Sequence, residues 1–284
     1  MRETLDFRPT TLKPSEFRTI RDLLYDRAGI DLQPGKETLV ACRLSKSIRE
    51  GKFRSFGDYI AHLGADRTRS SLLALIDALT TNHTSFLRER DHFEFFANTL
   101  LPEFATRSTI DIWCAASSSG EEPYSILLTA LDAAEKRRAP GIRLMASDIS
   151  TRVLAAARAG IYSSDRLGPI APNWLSKYFV RSASGYQVKQ DIRSRVTFQR
   201  LNLIEPFPSS LHPTVIFCRN VMIYFDRKTQ QDVVTRMAAT LEPGGYLFVG
   251  HSESLTGIEH SLEYVRPALY RKPGKGAPAR RREG

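Results

Sequence analysis

The segment Thr214-Val215-Ile216-Phe217-Cys218-Arg219-Asn220 gives the clearest indication of the fold. Residues 214–217 are β-branched or aromatic, which is the composition of a strand buried on both faces of a parallel sheet. The polarity changes abruptly at Arg219 and Asn220, where the chain would leave the sheet at the carboxyl end of the strand. Ligands of open α/β sheets bind at that end, so the pair predicts a contact with a small molecule. A polar turn without a ligand is the alternative.

The chain from Ile110 onward repeats this alternation of short apolar runs and amphipathic segments, which is the pattern of βαβ units. We expect helices over 121–135 and 151–159, and strands over 110–115, 143–146, 196–198, 215–218 and 246–249. The pattern breaks between Gly160 and Arg195. A small antiparallel β insertion is predicted there, over about 163–195, from the runs 178–180, 185–188 and 194–196.

The first 80 residues carry helical periodicity and no convincing strand. Ser15 is the expected N-cap of a first helix that ends near Gly29, and further helices are expected around 39–48, 55–62 and 70–79. The sequence therefore predicts an α/β protein with three parts. These are an all-helical domain over 1–80, a Rossmann-like domain over 81–272, and a basic tail over 273–284 that we expect to be disordered.

The charge of the chain leaves two classes of partner open. It has 41 Lys and Arg against 31 Asp and Glu, a formal net charge of +10, which would suit a nucleic acid. Part of the excess lies in the tail, however, and much of the rest lies in the amino-terminal third. There it could equally face an acidic protein.

The apolar and cysteine content points to a cytoplasmic protein without membrane insertion. No run approaches the roughly 18 apolar residues that span a bilayer, and no apolar signal segment follows the first residues. The three cysteines are an odd number without Cys-x-x-Cys spacing, which argues against a disulfide framework or a zinc site. His83, His92 and His251 show no metal-ligand spacing either, so we expect no metal.

The first predicted strand runs into small residues, 115–120, and a helix then opens with Glu121-Glu122-Pro123. This is the position of the glycine-rich turn of dinucleotide-binding folds, but G-x-G-x-x-G is absent. Two carboxylates at a helix N-terminus would repel a pyrophosphate. They could instead accept hydrogen bonds from a hydroxyl or an ammonium group, or they could merely compensate the helix dipole.

Asp148 ends the second predicted strand, where an acid binds the ribose hydroxyls of an adenosine ligand. A site that takes a ribose and no pyrophosphate matches S-adenosylmethionine better than ATP, NAD or FAD. Asn202 and Leu203 follow the next strand and could frame an adenine, although Asn in a loop is usually a turn residue. The polar segment 80–88 is either a linker with an N-cap or a pocket wall at the domain junction.

Five segments together closely resemble the CheR-type chemotaxis receptor methyltransferases. They are TNHTSFLRE (81–89), AASSSGEEPYS (115–125), ASDI (146–149), CRNVMIYF (218–225) and GHSES (250–254). The resemblance covers almost the whole chain, and it implies that the Rossmann-like domain is an S-adenosylmethionine-dependent methyltransferase domain. It implies methylation of glutamate side chains on the cytoplasmic helices of chemoreceptors. The products would be glutamate 5-O-methyl esters and S-adenosylhomocysteine.

The same resemblance implies roles for individual residues. Positions matching cofactor contacts of the family are Asn82, Thr84, Arg88, Glu122, Asp148, Asn202, Leu203, Arg219 and Asn220. Arg88 and Tyr224 match the two side chains near the transferred methyl group. The sequence leaves open whether Arg88 holds the carboxylate of the cofactor or that of the substrate.

A basic helix near the amino terminus is the expected contact with the acidic receptor helices. Three basic residues recur at every third position: Arg43, Lys46 and Arg49. They would form a stripe opposite the apolar Leu39, Leu44 and Ile48. A merely solvated face is the alternative reading of this stripe.

The chain departs from the family in two places. Members that dock on a carboxyl-terminal peptide of the receptor use a longer turn in the β insertion than Ser182-Ala183-Ser184-Gly185, so we expect an enzyme that does not depend on such a peptide. We also expect a monomer. The basic tail after Arg271 is not part of the family pattern.

Two other functions fit the sequence less well: nucleic-acid methylation and a non-catalytic scaffold. Nucleic-acid amino-methyltransferases resemble one another in an Asp/Asn-Pro-Pro-aromatic element after the fourth strand, whereas residues 219–224 read RNVMIY. We therefore expect no nucleic acid as substrate. A non-catalytic scaffold would be favoured by loss of the acid or the tyrosine, and both Asp148 and Tyr224 are present.

Overall fold

The computed structural model describes residues 11–66, 68, 70–80 and 82–274. The described chain forms two compact units. The first contains the residues up to 80 together with Tyr224–Asp226, and the second contains Asn82–Ile223 and the residues from Arg227 onward. The expected basic tail lies, from Lys275 on, outside the described residues.

The first unit is helical. Its helices are α1 (Pro14–Ala28), α2 (Glu37–Glu50), α3 (Phe56–Ala65) and α4 (Ser70–Leu79). The predicted N-cap Ser15 is wrong, because the helix begins one residue earlier and Lys13 is its N-cap. Pro14 suits the first helical position, where no N–H is needed, and Glu16 accepts a hydrogen bond from Lys13 N at 2.8 Å. Gly29, at φ 70°, ends the helix as predicted.

The buried face of α2 differs from the predicted one by one residue. Val40, Leu44 and Ile48 are buried, whereas Leu39 is 42% exposed. Residues four apart stack on one side of a helix, so Val40 extends the stripe of Leu44 and Ile48 and Leu39 turns outward. The prediction of Leu39 as a core residue is therefore wrong.

Three residues that follow the predicted strand 215–218, Tyr224–Asp226, also belong to the helical unit. Phe225 pairs with Ile30 in an isolated β-bridge, and the carbonyl of Tyr224 accepts a hydrogen bond from Asp31 N at 2.8 Å. The hydroxyl of Tyr25 donates to Asp226 at 2.8 Å. The helical unit is thus completed by residues from far along the chain.

The second unit is built on a mixed sheet. Its strands are β1 (Thr109–Ala115), β2 (Gly141–Asp148), β6 (Val196–Arg200), β7 (Val215–Cys218), β8 (Tyr246–Phe248), β9 (Glu263–Arg266) and β10 (Leu269–Arg271). The strand order is β6-β2-β1-β7-β8-β10-β9, in which the first five strands are parallel and the last two are antiparallel. The predicted α/β class is confirmed, and the β9-β10 hairpin was not predicted.

Helices flank this sheet in the second unit. They are α5 (Arg90–Phe95), a π-helical turn (Phe96–Leu100), α6 (Leu101–Glu103), α7 (Glu121–Lys136), α8 (Thr151–Ala159), α9 (Pro172–Tyr178), α10 (Gln190–Arg193) and α11 (Arg227–Thr240). All four residues of β7 are buried, as its apolar composition predicts. The rings of Phe217 and Phe248 stack with centroids 4.3 Å apart. Among the described helices, none is long and apolar enough to cross a membrane.

A second, small antiparallel sheet forms the predicted insertion. Its strands are β3 (Ile161–Tyr162), β4 (Phe179–Ser182) and β5 (Gly185–Val188), in the order β3-β5-β4. The prediction that residues 194–196 join this sheet is wrong, because Val196 begins β6 of the large sheet. The third strand is instead β3, whose two residues are too few to show an alternating pattern.

Candidate active site

The carboxyl ends of β6, β2, β1, β7 and β8 meet at one edge of the large sheet, which we call the carboxyl edge. Parallel pairing in register brings the ends of β1 and its two neighbours side by side, with Ala115 opposite both Ser147 and Cys218. Sequence-predicted residues on the segments that meet here are Glu122, Asp148, Asn202, Leu203, Arg219 and Asn220. The edge is where open α/β sheets bind ligands.

Asp148 anchors the loop that follows β1. Its carboxylate accepts hydrogen bonds from Ser118 N at 2.8 Å and from Ser150 N at 2.9 Å, and the residue is buried. The hydroxyl of Ser118 in turn donates to the carbonyl of Asn82 at 3.0 Å. One loop residue therefore connects two predicted cofactor residues, Asp148 and Asn82.

The backbone of this loop is unusual. Ala116 and Ser118 have φ of 60° and 48°, a region that residues with a Cβ rarely adopt. Gly120 has φ 97°, and a Cβ there would come within 2.9 Å of both Ala157 Cβ and the Tyr162 hydroxyl. Such conformations concentrate at functional sites, where the surrounding structure enforces them. A residue with a Cβ at position 120 would therefore strain this loop and displace its neighbours.

Arg219 lies at the centre of a buried ion cluster. Its guanidinium donates to the carboxylate of Glu122 at 2.6 Å, to that of Glu89 at 2.8 Å and to the carbonyl of Arg88 at 2.5 Å. It also lies over the ring of Phe93, 5.5 Å from its centroid. A buried guanidinium is costly unless it is paired, and these two carboxylates supply the pairing. The contact of Glu122 with the thiol of Cys114, at 3.3 Å, completes its surroundings.

Glu89 is a member of this cluster that the sequence analysis did not name as a site residue. It follows Arg88 in the segment 81–89, but nothing in that segment indicates a partner 130 residues away. Burial favours its neutral form, yet the Arg219 guanidinium and the Asn220 amide lower the pKa of Glu89 to about 2. The carboxylate is therefore ionised at neutral pH.

Three potential metal ligands also come together beside this cluster: Glu89, His92 and His251, with ligand atoms within 4.8 Å of one another. Two of these three residues already have a partner. Glu89 binds Arg219, and His251 Nε2 lies 3.2 Å from Asp91. Burial and the nearby Arg219 lower the pKa of His92 to about 4, so its imidazole is neutral at pH 7. The expectation that no metal binds stays a prediction.

Two acids at the start of α7 have different surroundings. Glu121 is fully buried and binds the hydroxyl of Ser119 at 2.8 Å and the guanidinium of Arg166. Burial raises the pKa of the Glu121 carboxyl. Glu122 instead faces Arg219, as described above. The two carboxylates therefore do more than compensate the helix dipole, because each holds an arginine in place.

The remaining predicted cofactor residues lie on loops of the same unit. Arg88 is half-buried and donates to the carbonyl of His83 at 3.2 Å, and Thr84 is also half-buried. Asn202 is buried and its amide donates to Glu205 at 3.2 Å, as a turn residue would. Leu203 beside it is buried as well. Their cofactor contacts stay predictions.

The other predicted residues belong to the helical unit: Tyr224, Arg43, Lys46 and Arg49. Arg43 is half-buried and donates to the carbonyl of Leu79 at 2.6 Å, so it supports the end of α4. Lys46 lies 3.9 Å from Glu50 and its side chain is 73% exposed, and Arg49 is also exposed. The predicted stripe therefore consists of two exposed cations and one residue with a structural contact.

The groups at the carboxyl edge fit S-adenosylmethionine. Asp148 carries a carboxylate, the group that binds ribose hydroxyls in such folds, and the two carboxylates of Glu89 and Glu122 against the single guanidinium of Arg219 leave a net negative charge that disfavours a pyrophosphate. Gly120 has no Cβ, so the loop passes close to Ala157 of α8 and Tyr162 of β3. The donor set thus suits a ligand with an adenosine and a cationic tail rather than a nucleotide phosphate.

Comparison with known proteins agrees with this chemistry. Residues 15–80 match the CheR methyltransferase all-alpha domain, and residues 82–269 match the CheR methyltransferase SAM binding domain. The chemotaxis protein methyltransferase of Klebsiella aerogenes is 42% identical over 260 residues, which cover 90% of this chain and 88% of that protein. Those of Salmonella typhimurium and Escherichia coli K12 are 41% and 40% identical over 267 residues, covering 91% of this chain and 90% and 91% of theirs. The chain therefore belongs to the CheR methyltransferase family and is an S-adenosylmethionine-dependent methyltransferase.

Proposed function

We propose that this enzyme methylates glutamate side chains in the cytoplasmic region of chemoreceptors and produces glutamate 5-O-methyl esters. The observation that carries the proposal is the match of both parts of the chain, residues 15–80 and 82–269, to the two domains of one family. Its relatives over that length are named chemotaxis protein methyltransferases. A match to the methyltransferase domain alone would not indicate the substrate. The helical domain matches as well, so the similarity to the chemotaxis enzymes extends over both domains of the family.

The carboxyl edge would hold the cofactor. S-adenosylmethionine, when bound, supplies a methyl group on a positively charged sulfur. Asp148 would bind the ribose hydroxyls, Asn202 and Leu203 would border the adenine, and Glu122 would contribute negative charge for the ammonium group. Glu122 is held by Arg219 at 2.6 Å, so its carboxylate is already oriented before a ligand arrives. Such preorganisation reduces the ordering cost of binding.

The substrate carboxylate needs no general base. A glutamate side chain has a pKa of about 4.3 and is ionised near pH 7. The work of the protein is therefore to orient this carboxylate and to keep water away from it. We assign the orientation to Arg88, through its charge, and to Tyr224, through a hydrogen bond from its hydroxyl.

The receptor would meet the helical unit at α2. Lys46 and Arg49 are exposed there and could attract a helix that carries clustered glutamates. Arg43 contributes less to this surface, because its guanidinium binds the carbonyl of Leu79. Methylation removes one negative charge, so the product should be held less tightly than the substrate.

A radiochemical assay tests the proposal. Purified enzyme is incubated with S-adenosylmethionine carrying a tritiated methyl group and with receptor cytoplasmic fragments. We expect label on the fragments that is released as methanol in mild base, as a carboxyl methyl ester requires. Fragments with their candidate glutamates replaced by alanine should stay unlabelled, and Asp148→Ala provides an impaired enzyme control. Base-stable label, or label on nucleic acid instead, would contradict the proposal.

We also propose that the enzyme acts without a docking peptide of the receptor. The β4-β5 hairpin has a two-residue connection, Ala183-Ser184, with Ser182 paired to Gly185, which leaves little loop to hold a peptide. Receptors with and without their carboxyl-terminal segment should be methylated at equal rates. A large rate loss on removing that segment would contradict this part of the proposal.

A further inference from the structure

Glu253 makes more backbone contacts at the carboxyl edge than its place in the segment GHSES indicates. It is buried, and one of its oxygens accepts hydrogen bonds from Gly250 N at 2.6 Å and Asn220 N at 2.7 Å. The other oxygen accepts from Met222 N at 2.7 Å and Ile223 N at 3.3 Å. An ionised carboxylate has about four acceptor positions, and these four donors occupy them.

The donors belong to two different strand ends. Gly250 follows β8, and its carbonyl accepts a hydrogen bond from Glu253 N at 2.8 Å, which closes a tight turn. Asn220, Met222 and Ile223 follow β7 and form the turn that begins with Arg219. Glu253 therefore fastens the turn after β7 to the turn after β8.

The fastened turn has a backbone that needs support. Asn220 has φ 57°, in the left-handed region that residues with side chains adopt infrequently. Its side-chain amide donates to Glu89 at 3.2 Å, so its orientation is coupled to the Arg219 cluster. Gly250 lies against it: a Cβ at position 250 would overlap the Asn220 amide and come within 2.8 Å of a Glu253 oxygen.

We infer that Glu253 is a positioning residue for methyl transfer, which fixes the turn carrying Arg219 and Asn220 through four backbone hydrogen bonds. Its acceptor positions are all occupied by the protein, so it does not itself contact a ligand. It acts through the turn, whose first two residues are predicted cofactor contacts and whose next residues lead along the chain to Tyr224. Small displacements of groups that hold a substrate lower the reaction rate strongly.

Glu253→Gln is the decisive variant. Glutamine keeps one acceptor oxygen, but its amide group would face two N–H donors, so half of the anchor is lost. We expect kcat/KM to fall about 100-fold, with weaker cofactor binding in calorimetry and a lower kcat at saturating cofactor. Amide hydrogen exchange should accelerate in residues 220–223 and 250 and stay unchanged in the rest of the sheet.

Glu242→Gln is the matched control. Glu242 lies before β8, at the opposite end of the strand, where it binds Arg107 at 2.8 Å and the Thr214 hydroxyl at 3.1 Å. It should leave cofactor affinity and exchange at 220–223 unchanged. Calorimetry and exchange need no receptor, so an error in the proposed substrate would not alter them.

Three results would overturn the inference. One is wild-type cofactor affinity and kcat for Glu253→Gln. Another is a loss of protection spread evenly over the sheet, which would make Glu253 only a stability residue. If Glu253→Gln does not fold, Gly250→Ala decides, because its Cβ would disturb both the Asn220 side chain and the Glu253 oxygen that binds Asn220 N and Gly250 N. Wild-type kinetics and exchange for that variant would also refute the positioning role.

Discussion

Replacing Arg219 by methionine would leave two largely buried carboxylates, each 13% exposed, without their cation: Glu89 and Glu122. In the native protein the pKa of Glu89 is lowered from 4.5 to about 2, which corresponds to no more than about 3 kcal/mol of stability at neutral pH, because solvent partly screens this carboxylate. Removing one member of a buried ion pair costs about 3–5 kcal/mol. We therefore expect Arg219→Met to lower the free energy of unfolding of the second unit, the α/β unit, by about 3–5 kcal/mol at pH 7.

The pH dependence of this loss has a definite sign. In the wild type the pKa of Glu89 is below its unfolded value, so its stabilisation is complete above pH 4.5 and is lost as the pH falls toward 2. Without Arg219, burial is the dominant influence and the pKa of Glu89 should rise above 4.5. The variant then recovers stability on acidification, as the carboxyl becomes neutral. The difference between the two proteins should therefore narrow from pH 7 to pH 5.

Urea unfolding followed by tryptophan fluorescence measures this difference. Both tryptophans of the chain, Trp113 and Trp174, lie in the α/β unit, so the signal reports that unit. Arg143→Met is the matched control, because Arg143 pairs with Asp111 at 2.5 Å but its side chain is 73% exposed. An exposed pair contributes little. Equal losses of stability in both variants, or an effect of Arg219→Met that does not change with pH, would contradict this prediction.

Four further outcomes are expected. Asp148→Ala should weaken S-adenosylmethionine binding in calorimetry by roughly 1.5–3 kcal/mol for each charged hydrogen bond lost, and unchanged affinity would reduce Asp148 to a loop anchor. Tyr224→Phe should lower the methylation rate at wild-type cofactor affinity, whereas equal losses in both would place Tyr224 at the cofactor. The double variant Lys46→Glu, Arg49→Glu should raise the apparent KM for receptor, and wild-type activity should fall as salt screens these charges. If the double variant has the KM of the wild type at low salt, this surface of α2 is only a solvated face. Arg43→Ala should lower the melting temperature of the helical unit by removing its bond to α4, and an unchanged melting temperature would make that bond dispensable.

Local signals in the sequence were sufficient for most of the helices, for the five parallel strands and for the end of the sheet where the site lies. The run 215–218 is fully buried because its side chains have no polar atoms to satisfy on either face, and Arg219 follows it at the carboxyl end as predicted. Gly29 ends α1 in the left-handed conformation that glycine adopts without cost. These features depend on a residue and its close neighbours, so the order of residues alone determines them.

The buried face of α2 and the short strand β3 could not be identified from the sequence, because each depends on its packing or pairing partners. Leu39 and Val40 fit an apolar stripe about equally well in the sequence, and only packing against the other helices selects Val40. The strand Ile161–Tyr162 has two residues, so it is defined by pairing with β5 rather than by any pattern of its own. In both cases the deciding interaction is with residues distant in the chain.

The charges of the site were decided only by the tertiary structure. Glu89 and Arg219 are 130 residues apart, and their ion pair requires that the segment before α5 and the end of β7 reach the same edge of the sheet. Glu253 binds backbone N–H groups, which every residue but proline possesses, so no side-chain pattern could have indicated its partners. The order of residues indicated the five parallel strands of the large sheet and the polar residues at their carboxyl ends. The folded sheet determined which of those residues meet, because electrostatic and hydrogen-bond contacts act over a few ångströms of space and not along the chain.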